Sequence, residues 1–394
     1  MIYQNNAVVV AGFARTPIGN FQGCLSTFKA AELGAIAIKA AVHRARIPIK
    51  SIDEVIMGCV LMAGQGQAPA RQAAIKAGLP ESVVCTTVNK MCGSGMKAIM
   101  FGYDLIKSGS ADIVVAGGME SMSNAPYLLT KARQGLKAGH ADLLDHLFID
   151  GLEDPVHKRL MGCYAEDCAE KFKFTRAQQD EFARQSLLRA RAAVDGGVFD
   201  GEIVPIDSYA DDKPAKRVKD ELPFSVDMDK ISQLKTVFKQ GGTVTAANSS
   251  SLSDGAAAVV LMSAAMADHY QVRCLAQIVA HHSYAHHPQW FTTAPLFAIE
   301  QILEKINMGV ADIDLYEINE AFAVVVLAAI QTLELPREKV NIHGGACALG
   351  HPLGASGARI LVTLLAAMQR HGLKRGLASM CIGGGEATAM VIEI

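Results

Sequence analysis

The chain has 394 residues, more than the roughly 250–300 at which a single hydrophobic core usually stops growing, so two domains or a large layered core are expected. Half of the residues are hydrophobic and only 19% are charged, which indicates extensive buried surface, part of it between subunits. The 37 basic and 39 acidic residues leave a net charge of −2, which argues against a protein that binds nucleic acid or a membrane surface.

The cysteines, the first residues and the apolar runs indicate where the protein is located. Nine cysteines, odd in number and scattered, fit reduced thiols in a cytosol-like compartment better than a disulfide framework. The first residues do not resemble a signal peptide, because 1–6 are polar and 7–10 run directly into a predicted strand. The longest purely apolar run, 321–330, is far shorter than the ~20 residues of a membrane span. We therefore expect a cytoplasmic protein.

Apolar strands and helices alternate in the N-terminal part of the chain, and the C-terminal part repeats their order. Strands are predicted over 7–12, 52–60, 83–88 and 111–118, with helices over 27–47, 71–77 and 96–107. The second set has strands over 275–279, 312–318 and 377–382, with helices over 294–305, 321–333 and 354–371. The alternation predicts an α/β fold of two duplicated halves, whose mostly parallel sheets are covered by helices.

A region of different composition separates the halves. Residues 119–244 are richer in charge and are predicted to form an inserted loop or lid domain. One helix is predicted to begin at a capping box of Thr175 and Gln178. The segment 211–221, DDKPAKRVKDE, predicts an exposed loop. The predicted domains are 1–118, 119–244, a return to the first half over 245–272, and 273–394.

A candidate nucleophile lies within VNKMCGSGMKA, residues 88–98. The strand before it is predicted to be buried, and Cys92 stands between that strand and the next helix. Helix N–H groups and the helix dipole favour a thiolate, so we predict a pKa for Cys92 well below the free value of about 8.5. Because a single cysteine is more often a small buried hydrophobe, this prediction needs support from elsewhere in the chain.

Three C-terminal motifs supply that support. Asn319 opens NEAF, His351 lies in GGACALGHPLGASGAR, and Cys381 opens CIGGG. Each motif is predicted to follow a strand or to lie in a glycine-rich turn. Functional groups of α/β sheets gather where strands end, so these side chains are expected to meet Cys92.

With the further stretches AGGMESMSNAPYLL and FKQGGTVTAANSSSLSDGAAA, the chain resembles the thiolases over essentially its whole length. The resemblance implies two βαβαβαββ-type halves in a layered α-β-α-β-α core, with an inserted loop domain whose segment 120–129 serves oligomerisation. It implies an acyltransferase that reversibly joins two acetyl-CoA molecules into acetoacetyl-CoA and CoA. It also implies CoA thioesters as substrates, no bound cofactor, and a homo-oligomer arranged as a dimer of dimers.

The resemblance also implies residue roles. Cys92 would attack the thioester and carry the acyl group, while His351 takes its proton. Cys381 would remove the α-proton of the second acyl-CoA. Asn319 would hold a water that forms one oxyanion hole with His351, and the N–H groups of Cys92 and Gly383 would form the other. The CoA contacts implied are Leu152, Met161, Phe238, Ala246, Ser250, Ala321 and Phe322, and the basic residues within 213–219 are candidates for the 3′-phosphate.

Several alternatives stay open. Leu160 and Phe291 depart from the usual family pattern beside the expected acyl pocket, so a 3-ketoacyl-CoA thiolase for longer chains remains a rival. A decarboxylating ketoacyl synthase would be expected to carry histidine in place of Cys381, and a non-catalytic acyl-CoA or lipid-binding relative would lack a catalytic group. Four histidines resemble a metal cluster but have no accompanying ligand group, so no metal is expected: His281, His282, His286 and His287.

Overall fold

The computed structural model describes residues 7–210 and 213–394, with side chains outside 208–215. The first half contains β1 (Val8–Arg15), β2 (Gly19–Asn20), α1 (Ala30–Ala45), β3 (Glu54–Gly58), α2 (Pro69–Lys76), β4 (Val84–Val88), α3 (Ser94–Ser108) and β5 (Ile113–Ser121). The inserted region contains β6 (Tyr127–Leu128), β7 (Leu144–Asp145), α4 (Met161–Phe172), α5 (Arg176–Asp195), β8 (Ile206–Ala210), β9 (Lys213–Arg217) and α6 (Leu222–Ser225).

The chain then returns to the first half through β10 (Ser253–Ser263) and α7 (Ala264–His269). The second half contains β11 (Ala276–Ala285), α8 (Ala294–Lys305), β12 (Leu315–Ile318), α9 (Ala323–Leu333), α10 (Ala346–Leu349), α11 (Leu353–His371), β13 (Arg375–Ile382) and β14 (Glu386–Glu393).

The two halves have matching strand orders. The first runs β1-β10-β5-β3-β4 and the second β11-β14-β13-β12, and an antiparallel pair between β1 and β11 joins them into one path. Pairing is parallel between β3 and β4, β3 and β5, and β12 and β13, and antiparallel at β10 and β14. The predicted duplication is confirmed, but the prediction of mostly parallel sheets is wrong, because strands β10 and β14 each return against the direction of their neighbours.

Three apolar clusters show the layers. One lies between the first half's sheet and α1 and α2, and another between the second half's sheet and α8 and α9. The third joins both sheets through α3 and α11, which lie between them. This is the α-β-α-β-α arrangement expected from the resemblance. Among the described residues, no helix is long and apolar enough to cross a membrane.

Glycines let the two central helices touch backbone to backbone. A Cβ at Gly95 of α3 would lie 2.9 Å from the N atom of Ala358, and one at Gly357 of α11 would lie 2.4 Å from the N atom of Met96. A side chain at either position would therefore push the helices apart. Cys92 precedes α3 and His351 precedes α11, so this crossing brings their loops together.

Two local predictions are wrong. Strand β4 is not buried: Val84 is 60% exposed, because β4 pairs only with β3 and is an edge strand of the described sheet. The charged segment is not a loop throughout, since Lys213–Arg217 pairs with Ile206–Ala210 as an antiparallel hairpin, although residues 211–212 lie outside the described ones. Asp220 in the same segment is buried in an ion pair with Arg15. The predicted capping box of Thr175 and Gln178 is present at α5.

Candidate active site

A mostly apolar cavity of about 580 Å³ opens between the strand ends and the inserted region. Cys92, His351 and Gly383 line it. So do all seven residues expected to contact CoA: Leu152, Met161, Phe238, Ala246, Ser250, Ala321 and Phe322. Leu160 and Phe291, two departures from the family pattern, also face this cavity. Residues from both halves and from the inserted region thus converge on one space.

Cys92 lies in a tight turn between β4 and α3. The N–H of Gly93 donates to the carbonyl of Lys90, and that of Ser94 to the carbonyl of Met91, so the turn occupies the donors next to the thiol. Burial raises the pKa of Cys92 to about 11, although the N–H groups of Gly383 and of Cys92 itself favour the thiolate. The prediction of a lowered pKa is therefore wrong for the resting site, because desolvation outweighs the two N–H contacts.

His351 is held in one orientation by its loop and by Ser356 of α11. The backbone N–H of His351 donates to the carbonyl of Ser251. Gly350, the residue before it, has a φ of +102°, and a Cβ there would lie 2.2 Å from Ser253 Oγ. The Ser356 hydroxyl donates to the carbonyl of Pro352 at 2.9 Å, so its oxygen accepts from His351 Nδ1 at 2.6 Å. The Nδ1–H tautomer leaves the Nε2 lone pair available as a base.

The protonation of His351 matches this geometry. Burial, followed by the positive charge of Arg359, lowers the pKa of His351 to about 3. Nε2 has no hydrogen-bond partner among the described residues. The resting site therefore holds a neutral imidazole beside a neutral thiol.

Cys381 lies at the end of β13, behind the cavity surface. It is 1% exposed and packs with Phe291, Ala321 and Phe322. Burial and the neighbouring thiols of Cys92 and Cys168 raise its pKa. A Cβ at Gly93 would lie 2.4 Å from Ile382 Cδ1, so the turn of Cys92 sits directly against the end of β13. The two thiols that were predicted to meet are neighbours.

Asn319 follows β12, the strand parallel to β13, and is fully buried. The backbone N–H of Asn319 donates to the carbonyl of Ser379, and the side-chain Oδ1 lies 3.5 Å from Arg359 Nη2. Within the described part of the chain, no acceptor faces Nδ2. A buried amide donor without a partner is uncommon in folded proteins, and Asn319 does not itself line the cavity.

Glu120 is a buried group of the site that sequence reasoning missed. It was expected in an oligomerisation segment, but its carboxylate accepts N–H groups of Val60, Leu61 and Gly354 inside the first half. Burial raises its pKa to about 7. It ties the end of β3 to the start of α11, next to the His351 loop. The sequence offered one signal, a glutamate two residues after a predicted strand that ends in two glycines.

Ser356 and Arg359 were also missed, although both stand within the motif that contains His351. Their spacing of three residues on a helix places them on one face, which could have suggested a shared task.

The four histidines that resembled a cluster have separate partners. His281 contacts Asp104 and His282 contacts Gln301, while His286 contacts the carbonyl of Trp290. The ring of His287 accepts the N–H of Gln289.

Comparison with known proteins agrees with this arrangement. The family model "Thiolase, N-terminal domain" matches residues 8–265, and "Thiolase, C-terminal domain" matches residues 272–394. A protein of Arabidopsis thaliana named acetyl-CoA acetyltransferase 2 is 50% identical over 390 residues, which cover 98% of this chain and 97% of that protein. A mitochondrial acetyl-CoA acetyltransferase of Bos taurus is 48% identical over 390 residues, with 98% and 92% covered.

Solved structures agree as well. The crystal structure of the Bacillus anthracis acetyl-CoA acetyltransferase matches with a TM-score of 0.96 at 40% identity and covers 98% of each chain. That of the Acat5 thiolase from Ascaris suum in complex with coenzyme A matches with a TM-score of 0.93 at 40% identity and covers 98% of this chain and 99% of that one. The chain belongs to the thiolase family.

Proposed function

We propose that this protein is an acetyl-CoA acetyltransferase, which reversibly converts two acetyl-CoA molecules into acetoacetyl-CoA and CoA. The observation that carries the proposal is the meeting of Cys92, His351 and the Gly383 N–H in one apolar cavity, with Cys381 directly behind. The relatives named acetyl-CoA acetyltransferase support the same activity. A non-catalytic member would lack at least one of these groups, and a decarboxylating synthase would not place a second thiol at Cys381.

The first half-reaction transfers an acetyl group to Cys92. His351 Nε2 accepts the thiol proton as the sulfur attacks the thioester carbonyl, and the N–H groups of Cys92 and Gly383 donate to the oxygen that becomes negative. The carbon–sulfur bond to CoA then breaks. The departing CoA thiolate takes the proton of Cys381. Acetyl-Cys92, an imidazolium and a Cys381 thiolate remain.

The second half-reaction uses that thiolate. Cys381 removes an α-proton from the second acetyl-CoA, and the enolate oxygen is held by a water on Asn319 and by His351. The enolate carbon attacks the acetyl carbonyl, the bond to the Cys92 sulfur breaks, and His351 returns its proton to Cys92. This sequence explains how a base arises from a thiol whose pKa burial raises, because the proton leaves with CoA.

Mass spectrometry of the intact protein tests the proposal. We expect wild type to gain one acetyl group from acetyl-CoA and then to release acetoacetyl-CoA with ping-pong kinetics. Cys92→Ala should gain no acetyl group. Cys381→Ala should gain it and yet form no acetoacetyl-CoA. Normal condensation by Cys381→Ala would show that the base is another group.

We also propose that basic residues of 213–219 bind the 3′-phosphate of CoA. Lys219 lies over the ring of Phe224, close to Leu222, which lines the cavity. The side chain of Lys213 lies outside the described residues. Replacing Lys216 and Lys219 together with glutamine should raise the KM for acetyl-CoA at low salt, and the difference should shrink as salt screens the charges. An unchanged KM at low salt would contradict this role.

A homo-oligomer, arranged as a dimer of dimers, is proposed on two exposed features. Within the described part of the chain, edge strand β4 presents Val84 and a backbone edge that no other strand pairs with, which favours pairing with a strand of another subunit. Tyr127 of β6 is 65% exposed, and Leu136 and Leu143 beside this hairpin are exposed as well. Light scattering should give a tetramer for wild type and a smaller species for Val84→Lys.

A cytoplasmic location is likewise proposed, because all nine cysteines are within the described residues and free. Cell fractionation tests it.

A further inference from the structure

Arg359 of α11 is a buried cation beside the site. Its side chain is only 3% exposed. Nη1 lies 3.6 Å from Glu317 Oε2, and Nη2 lies 3.5 Å from Asn319 Oδ1. Nε and Nη1 have no hydrogen-bond acceptor in the part of the chain that the structure describes. An arginine buried for stability alone would be expected to have hydrogen-bond acceptors for most of its N–H groups. Its contact with Asn319 therefore indicates another role.

The contact fixes the direction of the Asn319 amide. A guanidinium only donates, so it must face the amide oxygen and not the amide nitrogen. The oxygen therefore points to Arg359, and Nδ2 points the other way, without a partner among the described residues. The N–H of Asn319 is held by the carbonyl of Ser379, so main chain and side chain are both fixed.

The same helix orients the other member of this oxyanion hole. Ser356, three residues before Arg359, accepts from His351 Nδ1. The positive charge of Arg359 also reaches His351 and lowers its pKa. One face of α11 thus acts on both groups that would meet the enolate oxygen, through Ser356 on His351 and through Arg359 on Asn319.

We propose that Arg359 is a positioning residue for the condensation half-reaction, which turns the Asn319 Nδ2 donor toward the water that holds the enolate oxygen of the second acetyl group. This inference rests on the proposed function and adds a residue to it. As Cys381 removes the α-proton, the electron pair of the C–H bond moves into the enolate and negative charge develops on the thioester oxygen. Asn319 and the nearby cation oppose that charge. Acetylation of Cys92 uses a different pair of donors, the N–H groups of Cys92 and Gly383, so it depends on Arg359 only through the positive charge that reaches His351, which Arg359→Lys retains.

Separate measurement of the two half-reactions tests the proposal. Arg359→Lys and Arg359→Met are compared with wild type for the rate of Cys92 acetylation by intact mass, for exchange of the acetyl-CoA methyl hydrogens with solvent deuterium, and for kcat and KM of condensation. We expect acetylation within about threefold of wild type, with exchange and kcat lowered about 100-fold and KM little changed, as for loss of one oxyanion donor. If Arg359→Met does not fold, the result for Arg359→Lys decides the test, because lysine keeps a cation beside Glu317.

A matched control and a double variant separate positioning from structure. Arg189 contributes to the same charge environment at Glu317 but donates to the carbonyls of Val340 and Asn341. Arg189→Lys should leave hydrogen exchange unchanged. In an Asn319→Ala background, Arg359→Lys should have almost no further effect on exchange, because the donor it orients is gone.

Two results would overturn the inference. Equal slowing of acetylation and exchange by Arg359→Lys would mean a general structural role, and additive effects with Asn319→Ala would mean that the two residues act independently. Failure of the proposed function is distinguishable, since wild type would then form no acetyl-enzyme or no acetoacetyl-CoA.

Discussion

Ser356→Ala is expected to slow acetylation of Cys92 while leaving the cavity unchanged. The hydroxyl oxygen of Ser356 accepts from His351 Nδ1 at 2.6 Å, in a place where His351 is 5% exposed and water cannot easily replace it. A buried donor left unpaired costs about 1–3 kcal/mol. The cost is greatest when the imidazolium forms, because a charged donor makes the stronger bond. Since 1.36 kcal/mol is tenfold in rate, we expect acetylation to slow about 5- to 150-fold.

The assay is the single-turnover rate of acetyl-Cys92 formation, followed by intact mass. Ser121→Ala is the matched control, because the Ser121 hydroxyl is also buried and donates to a backbone carbonyl, that of Phe28, away from the cavity. It should acetylate at the wild-type rate. The KM of Ser356→Ala for acetyl-CoA should stay near that of wild type, since the serine does not line the cavity. A wild-type acetylation rate in Ser356→Ala would refute the assignment of the tautomer.

Three further expectations concern the loop, the acyl pocket and the pH response. Gly350→Ala should destabilise the fold by ~1–3 kcal/mol and abolish acetylation, because φ is +102° and the new Cβ meets Ser253. Gly372→Ala, with φ +64° in open space, should cost only ~1 kcal/mol and leave activity intact. Urea titration measures the stability of both variants, and the acetylation assay measures their activity. Phe291→Ala should raise the ratio of kcat/KM for 3-ketohexanoyl-CoA over acetoacetyl-CoA about tenfold, and an unchanged ratio would show that this ring does not limit chain length. Burial lowers the pKa of His343 to about 4, below its unfolded value of 6.5, so the unfolded chain binds more protons between these values. Stability should therefore fall as pH drops through that window, by up to about 1.4 kcal/mol per pH unit, and urea midpoints at pH 7 and pH 4.5 should differ less in His343→Gln.

Much of the fold could be predicted because its elements have strong local signals. Helix α8 begins and ends where predicted, since Pro295 favours the first turn and the apolar spacing continues to Lys305. The duplication was visible because corresponding helices and strands recur in order. Strands β10 and β14 were not predicted, and their antiparallel direction depends on partners far along the chain. Strand β4 shows the same difficulty: an apolar, β-branched segment gives no sign that one of its edges has no neighbouring strand in the described sheet.

The candidate site divides in a similar way. Motifs around Cys92, His351 and Cys381 are dense in glycine and reactive side chains, so the sequence indicates them directly. The pKa of Cys92 could not be predicted from its place before a helix, because desolvation is a property of the packed site. Glu120, Ser356 and Arg359 could not be predicted, because each contacts residues that only the fold brings to it, up to 234 residues away in the chain for Glu120 and Gly354.

The crossing of α3 and α11 has a consequence for how such a protein can change. Where two helices meet through glycines, their separation depends on main-chain atoms and not on the choice of rotamer, so it tolerates little adjustment. The residues that line the cavity, by contrast, include ordinary side chains such as Leu160 and Phe291 on other elements. Substitution there can alter which thioesters enter while the spacing of the reacting atoms is preserved, so selectivity and chemistry can diverge independently within one architecture.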